Sequence, residues 1–544
     1  MSIEVDAWER EADFVVVGGG SAGCVLADRL SESGAHQVLL IEAGPSDGHP
    51  YIHVPAAFLQ LIDHPRLSWR YRAQGDASLG HRTIAYPQGR MLGGTGSMNG
   101  MLYVRSSPAE HGQWLAQGCT GWSYEEALEW YQRIENLEGD SPEQGLPVSR
   151  FLELHPLSRA FLEACGEAGM AVRDTLNGPE REGAASFHQN RLGRFRHGPA
   201  QSYLRRARRR ANLQVLTDSL AERVLFDGVR AVGVLLRQHG VGLRRIRARR
   251  EVIVACGAIR SPQLLQLSGV GPEPLLHAMG IRVVADRKDV GENLRDHYSV
   301  PITQRVQGVR TLNERTRGLP LLAELWRYLV LGDGLLTLGA STCAAFARSR
   351  PELAAPDLQL SFAPGSFEAG TYQLEQAPGM TLSIYHSFPE SRGSVRVRSL
   401  DPAESPAIAP GYLRTPEDRA ALLSGLRLGR RLFGMPALKR WVLQETLPGK
   451  EVNSEDDLLD YALSKGVSGY HLVGSCRMGS DPDAVVDPRL KVRGVEALRV
   501  IDASILPSCT SGNSNAPTLM VAERGAAMVL ADSAQRPRRC LRRA

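Results

Sequence analysis

The chain has 544 residues, 43% hydrophobic and 23% charged, with a formal net charge of +5. That length exceeds one ordinary core and predicts two domains or one domain with a large elaboration, and the composition excludes a disordered or fibrous chain. The basic excess sits in arginine runs at 204–210, 243–250 and 536–543; without interleaved aromatics these read as a solvated face, a strand edge and a frayed terminus, not a nucleic-acid surface. Eight cysteines without a C-x-x-C pair make neither a disulfide framework nor a zinc site. The acidic start MSIEVDAWEREAD has no apolar signal-peptide core, and no run of about 18 apolar residues follows. The expectation is a cytoplasmic protein without a transmembrane segment, with room for peripheral membrane contact.

In chain order, 13–17 (DFVVV) predicts a buried strand breaking into Gly18-Gly19-Gly20-Ser21-Ala22-Gly23 and then a helix over 24–31. A second strand, 37–41, ends at Glu42. From 43 to 121 the chain is rich in glycine, proline and histidine and reads as one long irregular stretch laid over a ligand. Helices are expected at 124–135 and 155–168, two strands over 213–233, and a buried strand at 251–255 that returns to the first sheet. The segments 357–362, 381–387 and 394–398 alternate in polarity and predict antiparallel strands. An amphipathic helix is expected over 416–433, and an apolar-patterned one over 518–530. The fold class is therefore α/β, with a discontinuous Rossmann-like cofactor domain (1–150, 190–300, 468–535), an α+β substrate domain on an antiparallel sheet (151–189, 301–467) and a basic tail (536–544).

Four motifs carry chemistry. Gly18-x-Gly20-x-x-Gly23 between strand and helix allows a tight turn, close approach of a pyrophosphate and close packing, with the helix N-terminus facing the phosphates. Glu42, 19 residues after Gly23, is placed to accept from a ribose hydroxyl. Gly89-Arg90-Met91-Leu92-Gly93-Gly94-Thr95-Gly96-Ser97-Met98-Asn99-Gly100 brings backbone donors up to a flat or anionic ligand. His471, entering a glycine-containing turn, offers an imidazole proton acceptor. Asn513 and Asn515 precede the closing helix, whose positive end can stabilise negative charge.

At Gly89–Gly100, and again at 257–272 and 289–297, the chain resembles the glucose–methanol–choline oxidoreductases, over nearly its whole length. The resemblance implies FAD as cofactor and His471 as the base in an HPVGT-like stretch, with Leu472 and Ser475 replacing the usual proline and threonine. It implies Asn513 as the second active-site residue, Asn515 being the competitor. It extends the cofactor-binding set to Ser21, Ala22, Arg90, Gly93, Gly94, Asn99, Gly100, Met101, Val224, Asp502 and Ala503. Met98 stands where tethering members carry histidine, which implies non-covalent flavin. The implied reaction is oxidation of a primary or secondary alcohol to an aldehyde or ketone, with hydride transfer to flavin N5 and electrons passed to a quinone-type acceptor or oxygen. No metal is required. A hydroxynitrile lyase on the same scaffold is the alternative; a nicotinamide dehydrogenase leaves 89–100 and His471 unexplained, and a non-catalytic role leaves the His471/Asn513 pair unexplained. Binding a quaternary ammonium calls for an aromatic cage and a carboxylate, for which Tyr470, Trp326, Tyr328, Phe362, Phe367 and Tyr372 are candidates. The sequence leaves the particular alcohol and the oligomeric state open.

Overall fold

The computed structural model describes residues 8–73, 75, 79–137, 145–368 and 373–535. The tail 536–544, Cys540 and Tyr372 lie outside the described residues. Two seven-stranded sheets organise the chain. The first opens with Arg10–Val17, an apolar run paired in parallel with Val38–Ile41 on one side and Gly242–Val254 on the other. Leu213–Leu216 extends it beyond Val38–Ile41, and Leu498–Val500 joins along the end of Gly242–Val254. Strands buried on both faces read as continuous Val/Ile/Leu runs, as here.

Three expectations change, two of them in this sheet. The segment 213–233 holds parts of three strands, because Ser219–Asp227 and Arg230–Gln238 form a hairpin after Leu213–Leu216. The strand expected at 251–255 is the end of a 13-residue strand, Gly242–Val254. Its arginine-rich first half pairs antiparallel with Arg230–Gln238, and arginines at 244, 245, 247, 249 and 250 on a half-exposed ribbon hide that pairing from a search for apolar runs. The stretch 43–121 is not structureless: besides short turns of helix and strand it contains the helix Pro108–Ala116, capped by Ser107, with proline in its first turn.

The second sheet runs in the order Val442–Leu447, Tyr298–Val306, Gly379–His386, Leu358–Ala363, Cys343–Ala347, Gly183–Ser186, with Val467–Ser468 paired to Tyr298 and Ser299; all these pairs are antiparallel. Among the described residues Ser394–Arg396 does not join it and pairs instead with Ala407–Ala409. Alternation divides the sheet into two faces. Val300, Ile302, Leu360, Phe362, Leu382 and Ile384 are buried in one core cluster, over which Pro416–Phe433 packs. Gly425 and Gly429 let that helix close in: a Cβ on Gly425 would stand 2.7 Å from Ile384 Cγ2, and one on Gly429 2.9 Å from Ile302 Cδ1. The opposite face carries Ser299, Pro301, Thr303, Ser361, Thr381, Ser383 and Tyr385, and lines the main cavity.

Candidate active site

A cavity of about 650 Å³ runs from the glycine turn of the first sheet to the polar face of the second. At one end Gly18 adopts φ +104°, which favours glycine, and a Cβ on Gly23 would lie 1.8 Å from the Gly18 carbonyl oxygen. A Cβ on Gly20 would meet nothing nearer than 4.0 Å and would project toward the cavity that Gly20 lines. Helix Ser21–Ser31 begins there, with free N-terminal donors aimed at the same space. The N-terminus of the closing helix, Asn515–Gln535, converges on it, and Ser21 Oγ donates to Asn515 Oδ1 at 3.0 Å. Backbone donors and two helix N-termini at one point can hold a diphosphate.

Glu42 lines the same end and is buried. Its Oε2 accepts from Gly19 N and its Oε1 from Gly44 N, both at 2.8 Å, while burial pushes its carboxyl up to about 7. Ala22, Gly94, Asn99, Gly100, Met101, Asp502 and Ala503 also line the cavity, as does Met98. Asn99 Oδ1 accepts from Met101 N at 3.0 Å and from the buried Arg196 Nη1 at 2.9 Å. Asp502 receives Gly257 N at 2.8 Å and Ser261 Oγ at 2.5 Å, tying the helix Gly257–Leu267 to the cavity wall. Gly23, Arg90, Gly93 and Val224 stand behind the wall. Gly93 N donates to Gly19 O at 2.7 Å, the Arg90 guanidinium lies 4.7 Å from the Trp69 ring centroid, and Val224 N donates to Ser268 Oγ at 2.8 Å. On the strand of Val224 it is Ser219, Leu220 and Ala221 that reach the cavity.

His471 occupies the other end. Tyr470 before it takes φ +63° and donates its amide to Ser468 Oγ at 2.8 Å. The buried Asp296 fixes the backbone: its Oδ1 accepts from His471 N at 2.8 Å, and its Oδ2 from Ser468 Oγ at 2.5 Å and from the Tyr412 hydroxyl. The ring is set by a relay whose direction follows from one carbonyl. Ser387 O can only accept, so His297 Nε2, 2.9 Å away, carries the proton. Burial pushes His297 down to about 4, so it is neutral and its Nδ1 is an acceptor. His471 Nδ1 must then donate across 2.9 Å, and His471 Nε2 keeps its lone pair, toward which Asn513 Nδ2 donates at 2.9 Å. Asn513 Oδ1 is buried without a partner. Burial, and secondarily His297, hold His471 well below the ordinary imidazole value. Tyr385 stacks on His297 with centroids 4.4 Å apart.

The two asparagines thus part company: Asn513 reaches His471, and Asn515 reaches Ser21. The loop before Asn513 is anchored by the buried Glu110, whose Oε2 accepts from Ser511 N at 2.7 Å and Ser511 Oγ at 2.9 Å. Leu472 packs into the second core, and Ser475 Oγ donates to Ala258 O at 2.5 Å. Of the cage candidates, Tyr470 and Phe367 line the cavity, Phe362 lies in the core on the far face of its strand, and Trp326 and Tyr328 belong to a helical segment at the surface. Glu110, Arg196, Asp296, His297 and Tyr385 escaped the reading of the sequence; the adjacent Asp296-His297 pair, within a stretch already singled out, was the one available signal. Among the described residues no group of three or more His, Cys, Asp or Glu could hold a metal ion.

Residues 12–299 and 389–522 match the family models described as GMC oxidoreductase. The chain is 35% identical over 528 residues to an alcohol dehydrogenase (acceptor) of Pseudomonas putida, covering 95% of each protein. It is 38% identical over 531 residues to an oxygen-dependent choline dehydrogenase of Brucella anthropi, covering 96% of each. Its fold superimposes on a crystal structure of pyridoxine 4-oxidase from Mesorbium loti with a TM-score of 0.85 and 30% identity, over 95% of this chain and 98% of that one.

Proposed function

The chain belongs to the GMC oxidoreductase family, an FAD-dependent oxidoreductase acting on CH–OH donors, and on that footing we propose that it oxidises a primary or secondary alcohol with His471 as the base. The relay from Ser387 through His297 to His471 carries the proposal, because it leaves one imidazole lone pair facing the cavity. The glycine cradle, the two helix N-termini and Glu42 suit the diphosphate and ribose of FAD, and Met98, whose thioether offers no tethering nitrogen, suits non-covalent binding. Bound there, FAD supplies the two-electron acceptor for the carbinol hydride.

The protein's own part is proton transfer and orientation. A substrate hydroxyl displaces Asn513 Nδ2 from His471 Nε2 and gives its proton to that nitrogen. The freed Asn513 amide turns its N–H to the substrate oxygen, holding the carbinol carbon in place. The hydroxyls of Ser299 and Ser383, with Tyr470, offer hydrogen bonds along a wall that also carries apolar side chains such as Phe58, Leu59 and Ile62, which orients the hydroxyl of the substrate against an apolar remainder. The same reading assigns 1–150, 190–300 and 468–535 to the cofactor and 151–189 with 301–467 to the substrate; the membership of the two sheets supports that division except at Tyr298–Val306 and Val467–Ser468, strands of the second sheet that cross its boundaries. Oxygen or a quinone-type molecule reoxidises the cofactor.

Anaerobic rapid mixing with a panel of alcohols tests the proposal. At least one alcohol of the panel should bleach the flavin in the absence of oxygen. His471→Ala should retain FAD yet bleach about a hundred- to ten-thousandfold more slowly. Wild-type bleaching by that variant would remove His471 from the mechanism.

A further inference from the structure

We propose that the helical segment 318–331 is a docking surface for the face of an anionic lipid bilayer. Surface helices of water-soluble proteins turn apolar residues inward, and this segment does the reverse. Leu319, Leu322, Trp326, Leu329 and Val330 recur along one side of Gly318–Trp326 and its continuation Arg327–Leu331, and all are exposed, Leu319 by 80% and Trp326 by 56%. The residues turned inward are Glu324 and Tyr328.

The inversion is locked. Glu324 Oε1 accepts from Arg315 Nε at 2.8 Å, and its Oε2 accepts from Leu335 N at 2.8 Å. Tyr328 packs edge-on against Phe195, with centroids 6.5 Å apart. Rolling the helix to hide its leucines would pull a paired carboxylate out of its site and leave Arg315 and the Leu335 amide without it, so the apolar side stays outward. Phe195, itself exposed, extends the patch. A patch of this kind calls for a partner.

Charge and length select the partner. Arg317, at the N-terminal end, donates Nη2 to Leu374 O at 2.7 Å, and Arg194, at the other end, donates Nη1 to Leu329 O at 2.5 Å. Both are held by backbone carbonyls, and among the described residues neither forms an ion pair with a carboxylate. Arg327 is neutralised by Asp333 at 3.0 Å, with Glu153 at 3.8 Å. In a dimer built on this face, either helix direction sets arginine against arginine, which disfavours a second copy of the chain. Anionic headgroups accept both ends. Fourteen helical residues extend about 21 Å at 1.5 Å each, short of a bilayer core of about 30 Å, so the segment lies in the interface with Trp326 at headgroup depth. A few residues on, Ala340 and Ser341 line the cavity of His471, which brings that wall close to the lipid.

Flotation of the holoenzyme with vesicles tests this. Wild-type protein should float with phosphatidylcholine vesicles containing phosphatidylglycerol and less with phosphatidylcholine alone, and Trp326 should report entry through quenching by brominated acyl chains. The triple variant Leu322→Gln/Trp326→Gln/Leu329→Gln should lose about tenfold or more of its binding, while keeping its FAD and its anaerobic bleaching by a soluble alcohol. Failure of the wild type to float overturns the proposal, as does undiminished flotation of the triple variant. A wild-type dimer that the variant converts to monomer, without flotation of either, would assign the face to a second copy instead.

Discussion

His471 accepts a proton only if its Nε2 lone pair is free, and His297 decides that. With the His297 Nε2 proton committed to Ser387 O, the His471 proton is confined to Nδ1. His297→Leu removes the acceptor, lets His471 adopt the other tautomer, and should slow anaerobic bleaching about a hundredfold with FAD still bound. His297→Asn, which can accept at a similar place, should recover part of the rate; equal rates in both variants and the wild type would exclude a positioning role. The pH profile follows from the same geometry. Neutral imidazole near pH 7 would suggest a rate rising through the neutral range, but burial lowers the His471 value well below 6.5. The proposed base is then already neutral at pH 7, so the rate should be flat from there upward and fall on the acid side. Asp296, pushed up to about 6 by burial, and the neutral His297 and Tyr385 are the titratable neighbours. A wild-type rate that climbed between pH 7 and 9 would contradict this placement.

Elements meet at Glu42, where the strand Val38–Ile41 hands over to the loop at Gly44. Its carboxylate accepts two buried backbone amides besides facing the cavity. Glu42→Ala therefore removes more than the proposed contact to ribose: it should cost roughly 1–3 kcal/mol for each amide left unsatisfied and lower FAD occupancy in the purified protein. Glu42→Gln, keeping one acceptor oxygen, should fall between. Full occupancy and unchanged urea midpoint in Glu42→Ala would deny both functions. This element was legible in the sequence because strand, glycine turn, helix and acid follow one another within 33 residues, 10–42. His471 and Asn513 were legible through their motifs. Glu110, Asp296 and His297 act on residues far along the chain, and a long-range contact leaves no local period. The ribbon 219–254 was less legible because arginines at 244, 245, 247, 249 and 250 break up its last strand on a half-exposed surface, so an apolar run appears only where that strand enters the core. The helix 318–331 gives a strong apolar pattern whose orientation no pattern states; only the pairing of Glu324 reveals which side is out.

At the scale of the whole molecule the cavity is a seam. Its walls come from Val17 near the start of the chain, from Ser299, Thr381 and Tyr385 on the second sheet, and from Thr518 on the closing helix. A ligand filling it contacts both sheets, so binding and folding are linked: FAD bound to the native state stabilises it by about 2.7 kcal/mol at a free concentration one hundred times Kd. Because Met98 offers no nitrogen for a covalent bond, that stabilisation should be removable. Acid precipitation should release FAD into the supernatant, and gentle deflavination should yield a protein that melts at lower temperature and regains the holoprotein's melting point as FAD is added back. The shift should grow with the logarithm of free FAD and leave a single transition, since neither sheet closes the seam alone. Flavin that stayed with the precipitated polypeptide would mean a covalent link through a residue other than Met98. A melting point indifferent to added FAD would mean that the cavity between the sheets is not where the cofactor binds.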